Sequence, residues 1–428
     1  MSYIYLFLLL FVFLLVWKRT QLQRGSAEFT ALELSDDAKS WVRDFFSCEA
    51  YGEQVGPKVS FADMVHAVYK ESFKDHLHKE MEEDNKIRTE ANIGYFIQVS
   101  VSNIATLGRL MRVLYHKDNL YAIHFDKKIE DQLVYETLRE IVKVTTRASG
   151  GTNATLPSNI IVIPRKYVSY MGISMVLNTI AGMGALTESN SWDFFINLSG
   201  SDYPLLPQSQ IRKILGHAKQ RNPRPNFIWI DGNSEKWNNR LSELYFDPAL
   251  YEERNITHNS GGFELLEAVP SGAKHPLANV PWFSFSKCEA WMILSYEFVN
   301  HIIRSVDSKE LLIKFAHSLA ADEHFFCTLL KAREDQFPHV NSTLRFILWW
   351  HPQLGNSGAR PFTLDDKWWI VGKALRCSGA FFARKFSNCN ADILEAIDTL
   401  FIRGLDKDFA KLVERNFLEM IKESSDTR

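Results

Sequence analysis

The sequence has few cysteines, no excess of charge of either sign and no low-complexity tract. Five cysteines occur in 428 residues, and none forms a C-x-x-C pair, which argues against a zinc module and a disulfide scaffold. Cys377 and Cys389 are the closest pair that could bridge, and the sequence leaves the pairing open. Lysine and arginine number 49 against 51 aspartates and glutamates, whereas a general nucleic-acid binder normally shows a basic excess.

Several nucleotide and metal motifs are also missing. The chain has no P-loop, no G-x-G-x-x-G after its first strand, no G-x-S-x-G and no H-E-x-x-H. Its one Asp-x-Asp pair, Asp406 and Asp408, lies in a polar segment near the carboxyl terminus, and we interpret it as a solvated helix start. A nucleotidyltransferase would need a glycine-rich phosphate loop and a metal carboxylate pair, so that class is disfavoured.

An apolar run from Tyr3 to Trp17 begins the chain, and Lys18 and Arg19 follow it. It is shorter than the ~20 residues of a full bilayer span. A signal anchor, a cleaved signal peptide and a buried helix are the alternatives, and we favour a signal-anchor transmembrane segment at residues 1–20 with a helical stem at 21–90. The basic residues follow the run, which is the reverse of the positive-inside expectation for a luminal protein.

From residue 92 onward, short apolar runs alternate with segments of helical spacing. This alternation predicts an α/β fold with a mostly parallel sheet and helices on both faces. Ligands bind outside the carboxyl ends of the strands in such sheets. We expect a catalytic domain at 91–402 and a tail at 403–428. The predicted strands are 93–99, 120–125, 160–163, 193–198 and 227–230, and the predicted helices are 105–115, 173–186, 208–220, 296–305, 322–332 and 391–402.

Two acidic residues follow predicted strands. Asp126 ends one strand and could accept hydrogen bonds from a ribose or a uracil ring, or it could cap the next helix while Lys127 and Lys128 remain solvated. Asp202 lies in the segment NLSGSDYPL, where Gly200 permits a tight turn or a close backbone approach. Asp202 could serve a ligand at the mouth of the sheet or form an Asx turn.

A third acidic residue, Glu323, begins the predicted helix 322–332. Acids in a first helical turn usually act as caps and dipole partners, but a carboxylate at the end of a packed helix can also serve as a general base. Arg360 and the pair Arg384 and Lys385 are cations in an aromatic setting. They are either surface charges over apolar packing or a clamp that offsets the charge of a diphosphate without a metal.

Taken in order, these segments resemble glycosyltransferase family 14, which includes core-2/I-branching N-acetylglucosaminyltransferases, peptide O-xylosyltransferases and plant β-glucuronosyltransferases. The resemblance spans about residues 92 to 400, and the stretches 170–179 and 197–205 look closer to the xylosyl- and glucuronosyltransferase branch than to the mucin branching enzymes. The segments that carry it are IGYFI (93–97), LYH (114–116), IHFDK (123–127), FINLSGSDYPL (195–205), AWMILS (290–295), DEH (322–324) and FARKF (382–386).

The resemblance implies a GT-A-like, Rossmann-type fold in a single-pass type II Golgi membrane protein with a luminal catalytic domain. It implies inverting transfer of a sugar from a UDP-sugar donor to a glycan or glycoprotein acceptor, without a metal or another cofactor. Glu323 matches the family's catalytic base, and Arg360 and Lys385 match its diphosphate-binding cations.

Three further ligand-binding positions follow from the same resemblance. Asp126, with Val99 nearby, matches the nucleoside site, while Asp202 and Trp291 match residues that line the donor and acceptor cleft. Phe125 departs from the usual Val or Leu of the family. A catalytically inactive carbohydrate-binding or scaffold protein with the same fold is the alternative interpretation. Release of UDP in the presence of an acceptor distinguishes it from an enzyme.

Overall fold

A computed structural model describes most of the chain from residue 90 onward. The predicted signal anchor and the predicted stem, apart from residue 90, lie outside the described residues. No helix in the described part of the chain is long and apolar enough to cross a membrane. The described ranges are 90–148, 155–189, 191–231, 240–251, 257–258, 264–279, 285–349, 359–362, 375–387, 390–404 and 406–426.

The strands form one large sheet and three small ones. The large sheet has seven strands in the order β12-β6-β11-β4-β1-β2-β3. Within it β11 pairs antiparallel with β4 and β6, and the other pairings are parallel, which confirms the predicted mostly parallel sheet. The strands are β1 Ile93–Val99, β2 Leu120–Phe125, β3 Ile160–Val162, β4 Phe194–Ser199, β5 Tyr203–Pro204, β6 Asn226–Asp231, β7 Glu243–Phe246, β8 Thr257–His258, β9 Glu264–Leu265, β10 Val269–Lys274, β11 Lys287–Ser295, β12 His339–Val340, β13 Arg345–Ile347 and β14 Phe382–Arg384.

Most of the helices lie between the strands along the chain, as the apolar periodicity predicts. Short 3-10 helices occur at Ile104–Thr106, Pro248–Leu250, Pro276–Asn279 and Ala321–Glu323, and a π-helix spans Asp398–Ile402. The α-helices are α1 Leu107–Leu114, α2 Asp131–Ala148, α3 Ser174–Thr187, α4 Gln208–Lys219, α5 Tyr296–Arg304, α6 Val306–Lys314, α7 Phe325–Lys331, α8 Leu375–Cys377, α9 Ala391–Ile397 and α10 Lys407–Asp426.

Two apolar cores cover the two faces of the large sheet. Alternate residues of β1 belong to different cores, since Tyr95 and Ile97 pack in one while Phe96 packs in the other. A parallel strand buried on both faces explains why β1 reads as a continuous apolar run. The first core also takes side chains from α1, α4 and α10, and the second from α3, α5 and α7. The expected helices on both faces are therefore present.

The segment that we expected to be a polar tail forms α10. Its apolar residues Phe409, Val413, Phe417 and Ile421 recur at every fourth position and are buried in the first core. This spacing places them along one side of the helix. Asp406 accepts a hydrogen bond from the Phe409 amide at 3.1 Å and pairs with an arginine of α8 at 2.8 Å. The expected helix start is present, but the helix packs against the fold.

Candidate active site

The candidate site lies at the carboxyl edge of the parallel strands. Asp126 directly follows β2, and Asp202 follows β4 after two residues, Gly200 and Ser201. Because β11 runs antiparallel to its neighbours, its first residue Lys287 lies at this edge, where it pairs with Asp231 at the end of β6. Strand direction alone thus brings acidic and basic side chains from distant parts of the sequence to one edge.

Glu323 ends the 3-10 helix Ala321–Glu323 and makes no cap. The residue before this helix, Ala320, has a left-handed backbone with φ of 52° and donates its amide to the Met171 carbonyl at 2.8 Å. The Glu323 carboxylate forms ion pairs with Arg240 and with Lys287, whose Nζ lies 3.0 Å from Oε2. Burial raises the pKa of Glu323, but the two cations outweigh burial and lower its pKa below the ordinary value. Glu323 is therefore an ionised carboxylate at neutral pH.

The pKa of the neighbouring Asp322 is shifted in the opposite direction, above its ordinary value. Only 8% of Asp322 is exposed, and burial first and the charge of Glu323 second raise its pKa to about 7. His324 donates its Nδ1–H to the Ser286 carbonyl oxygen at 2.9 Å, and burial lowers its pKa to about 4. Glu323 thus lies between two groups that burial drives toward their neutral forms.

A disulfide links the strand that carries Lys287 to the helix that follows Glu323. Cys288 of β11 and Cys327 of α7 are bonded, with their Cα atoms 6.1 Å apart. Their sulfur atoms lie 3.3 and 3.8 Å from the Glu323 carbonyl oxygen. The Ser286 amide also donates to the Thr328 hydroxyl at 3.0 Å. These links hold Glu323 beside Lys287. Cys389, which the sequence offered as a partner for Cys377, lies outside the described residues.

Asp202 is fully buried and holds the turn after β4. Its Oδ2 accepts hydrogen bonds from the Ser199 amide and hydroxyl, both at 2.7 Å. Gly200 lies so close to Asn103 that an added Cβ would sit 2.4 Å from the Asn103 carbonyl oxygen, which confirms the expected close backbone approach. Asp202 therefore holds the turn through the preceding Ser199, and it also faces two arginines.

Arg345 of β13 and Arg384 of β14 lie beside Asp202, and we call them the arginine pair. The Arg345 Nε is 3.2 Å from Asp202 Oδ1, and the Arg384 Nη1 is 3.8 Å from Oδ2. Both guanidinium groups lie against the Trp291 ring, at 4.7 Å and 3.8 Å from its centre. Contacts of this kind stabilise a cation that has lost water. The small sheet β13-β14-β5 brings the pair together, since β5 begins one residue after Asp202.

Two side chains connect the Glu323 cluster with the arginine pair. Glu289 of β11 interacts electrostatically with Arg345, Lys287 and Arg384, and burial raises its pKa. The half-exposed Tyr170 hydroxyl is within electrostatic range of Glu323 and of Arg384. Loss of water and then the charge of Glu323 raise the pKa of Tyr170. Tyr170 is therefore within electrostatic range of both Glu323 and Arg384, and we call the region that these side chains share the crevice.

Lys385 directly follows Arg384, and Arg360 lies on a neighbouring backbone segment. Burial of its amine and the neighbouring Arg384 lower the pKa of Lys385, while Asp202 opposes them, although much of the lysine side chain is exposed. The Phe386 amide donates to the Ser201 carbonyl at 2.9 Å, which fixes Lys385 beside the turn after β4. The Phe362 amide donates to the Lys385 carbonyl at 3.0 Å. The half-buried Arg360 is two residues before Phe362, so both predicted cations lie on adjoining backbone segments.

Asp126 and Val99 meet at the carboxyl ends of β2 and β1. The Asp126 amide donates to the Val99 carbonyl at 2.9 Å. The Asp126 carboxylate accepts from the Lys128 amide at 2.9 Å and pairs with the Lys128 ammonium at 2.6 Å. Burial raises the pKa of Asp126, and Lys128 opposes this effect. Only 5% of the Lys128 side chain is exposed, so the expectation of a solvated Lys128 is wrong. Lys127 is exposed.

The sequence did not single out four residues of the crevice for their chemistry. Lys287, Arg240, Glu289 and Arg345 lie outside recognisable motifs. Glu289 and Lys287 flank Cys288, in a segment for which no strand was predicted. The available signal was the pattern KCEAW at 287–291, in which charged residues two apart precede a tryptophan. A period of two is typical of a strand with one polar face.

Comparison with known proteins confirms the resemblance that the sequence segments predict. The family model described as "Core-2/I-Branching enzyme" matches residues 93–373. The chain belongs to the Core-2/I-branching enzyme family. This match spans β1 through β13 and includes Glu323, Asp202 and Arg345.

The chain is similar to several curated glycosyltransferases. The β-glucuronosyltransferase GlcAT14B of Arabidopsis thaliana is 31% identical over 72% of this chain and 65% of its own length. A human β-1,6-N-acetylglucosaminyltransferase 3 is 23% identical over 58% and 49%. Xylosyltransferase 2 of Rattus norvegicus is 25% identical over 72% and 33%. The chain thus spans less than two thirds of the length of these relatives.

Proposed function

We propose that the protein is an inverting glycosyltransferase that moves glucuronic acid, xylose or N-acetylglucosamine from a UDP-sugar to a hydroxyl group of a glycan or a protein. Membership of the Core-2/I-branching family supports the class of reaction. The observation that carries the mechanism is the Glu323 carboxylate, which Lys287 and Arg240 keep ionised at the carboxyl edge of the sheet.

Glu323 serves as the general base in this proposal. Inversion requires a carboxylate that takes the proton of the acceptor hydroxyl while the oxygen attacks C1 of the donor sugar in line with the departing UDP. The ionised carboxylate lies two residues before α7, the helix that a disulfide ties to β11, and this link fixes it in position for the step. The proton moves from the acceptor oxygen to Glu323 as the new C1–O bond forms and the bond from C1 to UDP breaks.

The cations at the crevice border stabilise the leaving group. UDP gains negative charge as it departs, and fixed positive groups in a partly dehydrated site offset such charge effectively. Lys385 and Arg360 take this role, and the reaction proceeds without a metal. Val99 and Asp126 bind the nucleoside, and Asp202 and Trp291 form the wall of the cleft.

The proposed location is the Golgi lumen, with the chain held in the membrane by residues 1–20. The disulfide between Cys288 and Cys327 supports an oxidising compartment. Asn341 begins an N-S-T sequon and is exposed, so it is available for glycosylation there. Asn197 also begins a sequon, but its side chain is buried and bonded to the Ala290 carbonyl at 2.7 Å and to the Met292 amide at 2.9 Å, so it is not expected to carry a glycan.

A donor screen with a base variant tests this function. Purified protein is incubated with each UDP-sugar and candidate acceptors, and UDP release is measured for the wild type and Glu323→Gln. We expect the variant to lose at least about 1,000-fold in turnover, at the strong end of the range for proton-transfer catalysis, and to bind UDP normally. Glu334→Gln, a change at an exposed ion pair, is the matched control. Ordinary turnover by Glu323→Gln would refute the base assignment.

Two further readouts complete the test. Activity in EDTA is expected to equal activity without it, and inhibition that Mn²⁺ reverses would refute the metal-free clamp. No UDP release with any donor and acceptor, combined with normal glycan binding, would favour the alternative of an inactive carbohydrate-binding protein.

A further inference from the structure

The arginine pair is buried, whereas the neighbouring Lys385 is exposed. The side chains of Arg345 and Arg384 are 1% and 11% exposed, whereas Lys385 is exposed. Burial lowers the pKa of both guanidinium groups, that of Arg345 to about 10, so both remain charged at neutral pH. Two buried charges require partners, because an uncompensated buried cation is strongly destabilising.

Hydrogen-bond acceptors among the described residues do not pair with all of the N–H groups of Arg345 and Arg384. The Arg345 Nη2 donates to the Asn197 carbonyl at 2.9 Å. The Nε and Nη1 atoms of both arginines are buried and have no hydrogen-bond partner in the described part of the chain. Asp202 lies within ion-pair distance of each, but it does not meet hydrogen-bond geometry with either. Buried donors are nearly always paired in native proteins, so these four atoms are complementary to a ligand with acceptor oxygens.

The position of the pair distinguishes the sugar from the diphosphate of a donor. Arg384 is within electrostatic range of Tyr170, which also interacts with Glu323. Glu289 similarly connects the pair with Lys287 beside Glu323. Since the base marks the place where the acceptor attacks C1, the pair faces the sugar end of the donor. The more exposed Lys385 remains for the diphosphate.

We propose that Arg345 and Arg384 bind the carboxylate of a uronic-acid donor, so that the sugar transferred is a uronate. This inference rests on the proposed glycosyltransferase function and selects among its donors. A guanidinium group offers a planar fork that matches both oxygens of a carboxylate, and the Trp291 ring beneath the two forks restricts their orientation. A neutral hydroxymethyl group cannot accept from several of these donors at once.

The expected discrimination follows from the unpaired donors. Sites built to hydrogen-bond a substrate group reject analogues without it by 10⁴–10⁵ in the strongest cases. Asp202 and Glu289 already offset part of the positive charge of the pair, so we expect a smaller preference of about 100-fold in kcat/KM for UDP-glucuronate over UDP-glucose. These two donors differ only at C6, which makes their ratio a direct measure of carboxylate recognition.

The experiment measures that ratio in the full-length protein and in Arg384→Lys and Arg345→Lys. Lysine keeps the positive charge and loses the fork. We expect each variant to reduce the ratio at least tenfold through kcat/KM for UDP-glucuronate, while kcat/KM for UDP-glucose and inhibition by UDP change less than threefold. Arg333→Lys, on the surface near α6, is the matched control. Free glucuronate should inhibit the wild type more strongly than free glucose.

Each contrary outcome has a separate meaning. A wild type that uses UDP-glucose or UDP-xylose as well as UDP-glucuronate would overturn the inference even if both variants fail to fold. An equal loss with every donor, together with weaker UDP inhibition, would assign the arginine pair to the diphosphate and also overturn it. Absence of UDP release with any donor would instead reject the proposed function itself.

Discussion

The Lys287 ammonium lies 3.0 Å from the Glu323 carboxylate, and only 7% of the Lys287 side chain is exposed. A buried lysine next to a carboxylate stabilises the charged form of that carboxylate more than a surface lysine does, because little water screens the pair. Burial alone would raise the pKa of Glu323. Lys287 and Arg240 therefore decide whether this side chain is a base or a neutral acid near neutral pH.

Replacement of Lys287 by methionine should move the pH profile of the proposed sugar transfer. We expect the pKa of Glu323 to rise when the neighbouring positive charge is removed, since burial then has less to oppose it. The acid limb of kcat/KM should shift to higher pH by the same amount, since the base works only when it is ionised. The measurement is kcat/KM from pH 4.5 to 8.5. Lys331→Met, at an exposed ion pair with Glu334, should leave the profile unchanged. An unshifted acid limb in a folded Lys287→Met protein would contradict this view.

Replacement of Asp322 by asparagine should stabilise the protein at high pH. The pKa of Asp322 is raised in the folded state, so the folded chain binds this proton more tightly than the unfolded chain. The stability contribution of Asp322 therefore falls as the pH rises from about 4 toward 7. Asparagine does not titrate, and the gain of the variant should be larger at pH 8.5 than at pH 5 by roughly 1–3 kcal/mol, at 1.36 kcal/mol per unit of pKa.

Denaturant unfolding at the two pH values checks the expectation for Asp322. The wild type is compared with Asp322→Asn and with Asp335→Asn, a carboxyl group of the exposed turn after α7. The Asp335 variant should follow the wild type at both pH values. If Asp322→Asn and the wild type lose stability in parallel between pH 5 and pH 8.5, Asp322 is not held in its neutral form.

Loss of the disulfide should lower stability and impair catalysis. Cys288 and Cys327 are 39 residues apart in sequence, and the loop-entropy relation gives roughly 3–4 kcal/mol for a loop of this length. The bond also lies against the Glu323 carbonyl, so kcat should fall more than the KM for the donor rises. The double variant Cys288→Ser with Cys327→Ser is compared with the wild type before and after reduction. Reduction should affect the wild type alone, and equal stability of all four samples would contradict the prediction.

The sequence predicts the sheet well because its strands are buried on both faces. The bounds predicted for β1 and β2 are those of the structure, and the predicted helix 208–220 differs from α4 by one residue. Continuous apolar runs bounded by polar turns carry this information locally. The sequence missed β11, in which Lys287, Glu289 and Trp291 interrupt the apolar pattern because they face the crevice. The strand that the sequence missed is thus one that contributes side chains to the candidate site.

From the sequence alone, only the site residues that lie in recognisable motifs could be identified. Glu323 and Lys385 lie in segments that resemble a family, and so they could be named. Arg345 and Lys287 reach the crevice through the pairing of distant strands, β13 with β14 and β11 with β6. No local pattern records such pairings, because they depend on the whole topology.

The carboxyl-terminal helix α10 should be required for stability. Phe417 is fully buried and packs on Phe227 and Phe381, with ring centres 5.3 and 5.6 Å away. Because Phe227 belongs to β6, α10 covers that part of the large sheet. Truncation of a buried phenylalanine leaves a cavity, and we expect Phe417→Ala to lower the free energy of unfolding by about 3–5 kcal/mol.

The neighbouring residue provides the control for α10. Leu418 is 39% exposed, and Leu418→Ala should cost less than about 1 kcal/mol, as surface substitutions usually do. Thermal and denaturant unfolding of both variants measures the difference. Equal small effects would mean that α10 is dispensable, as expected for a tail. A large effect for Phe417→Ala alone would establish α10 as part of the folded domain. Phe417 packs on β6, and β6 pairs with β11, which carries Lys287 and Glu289.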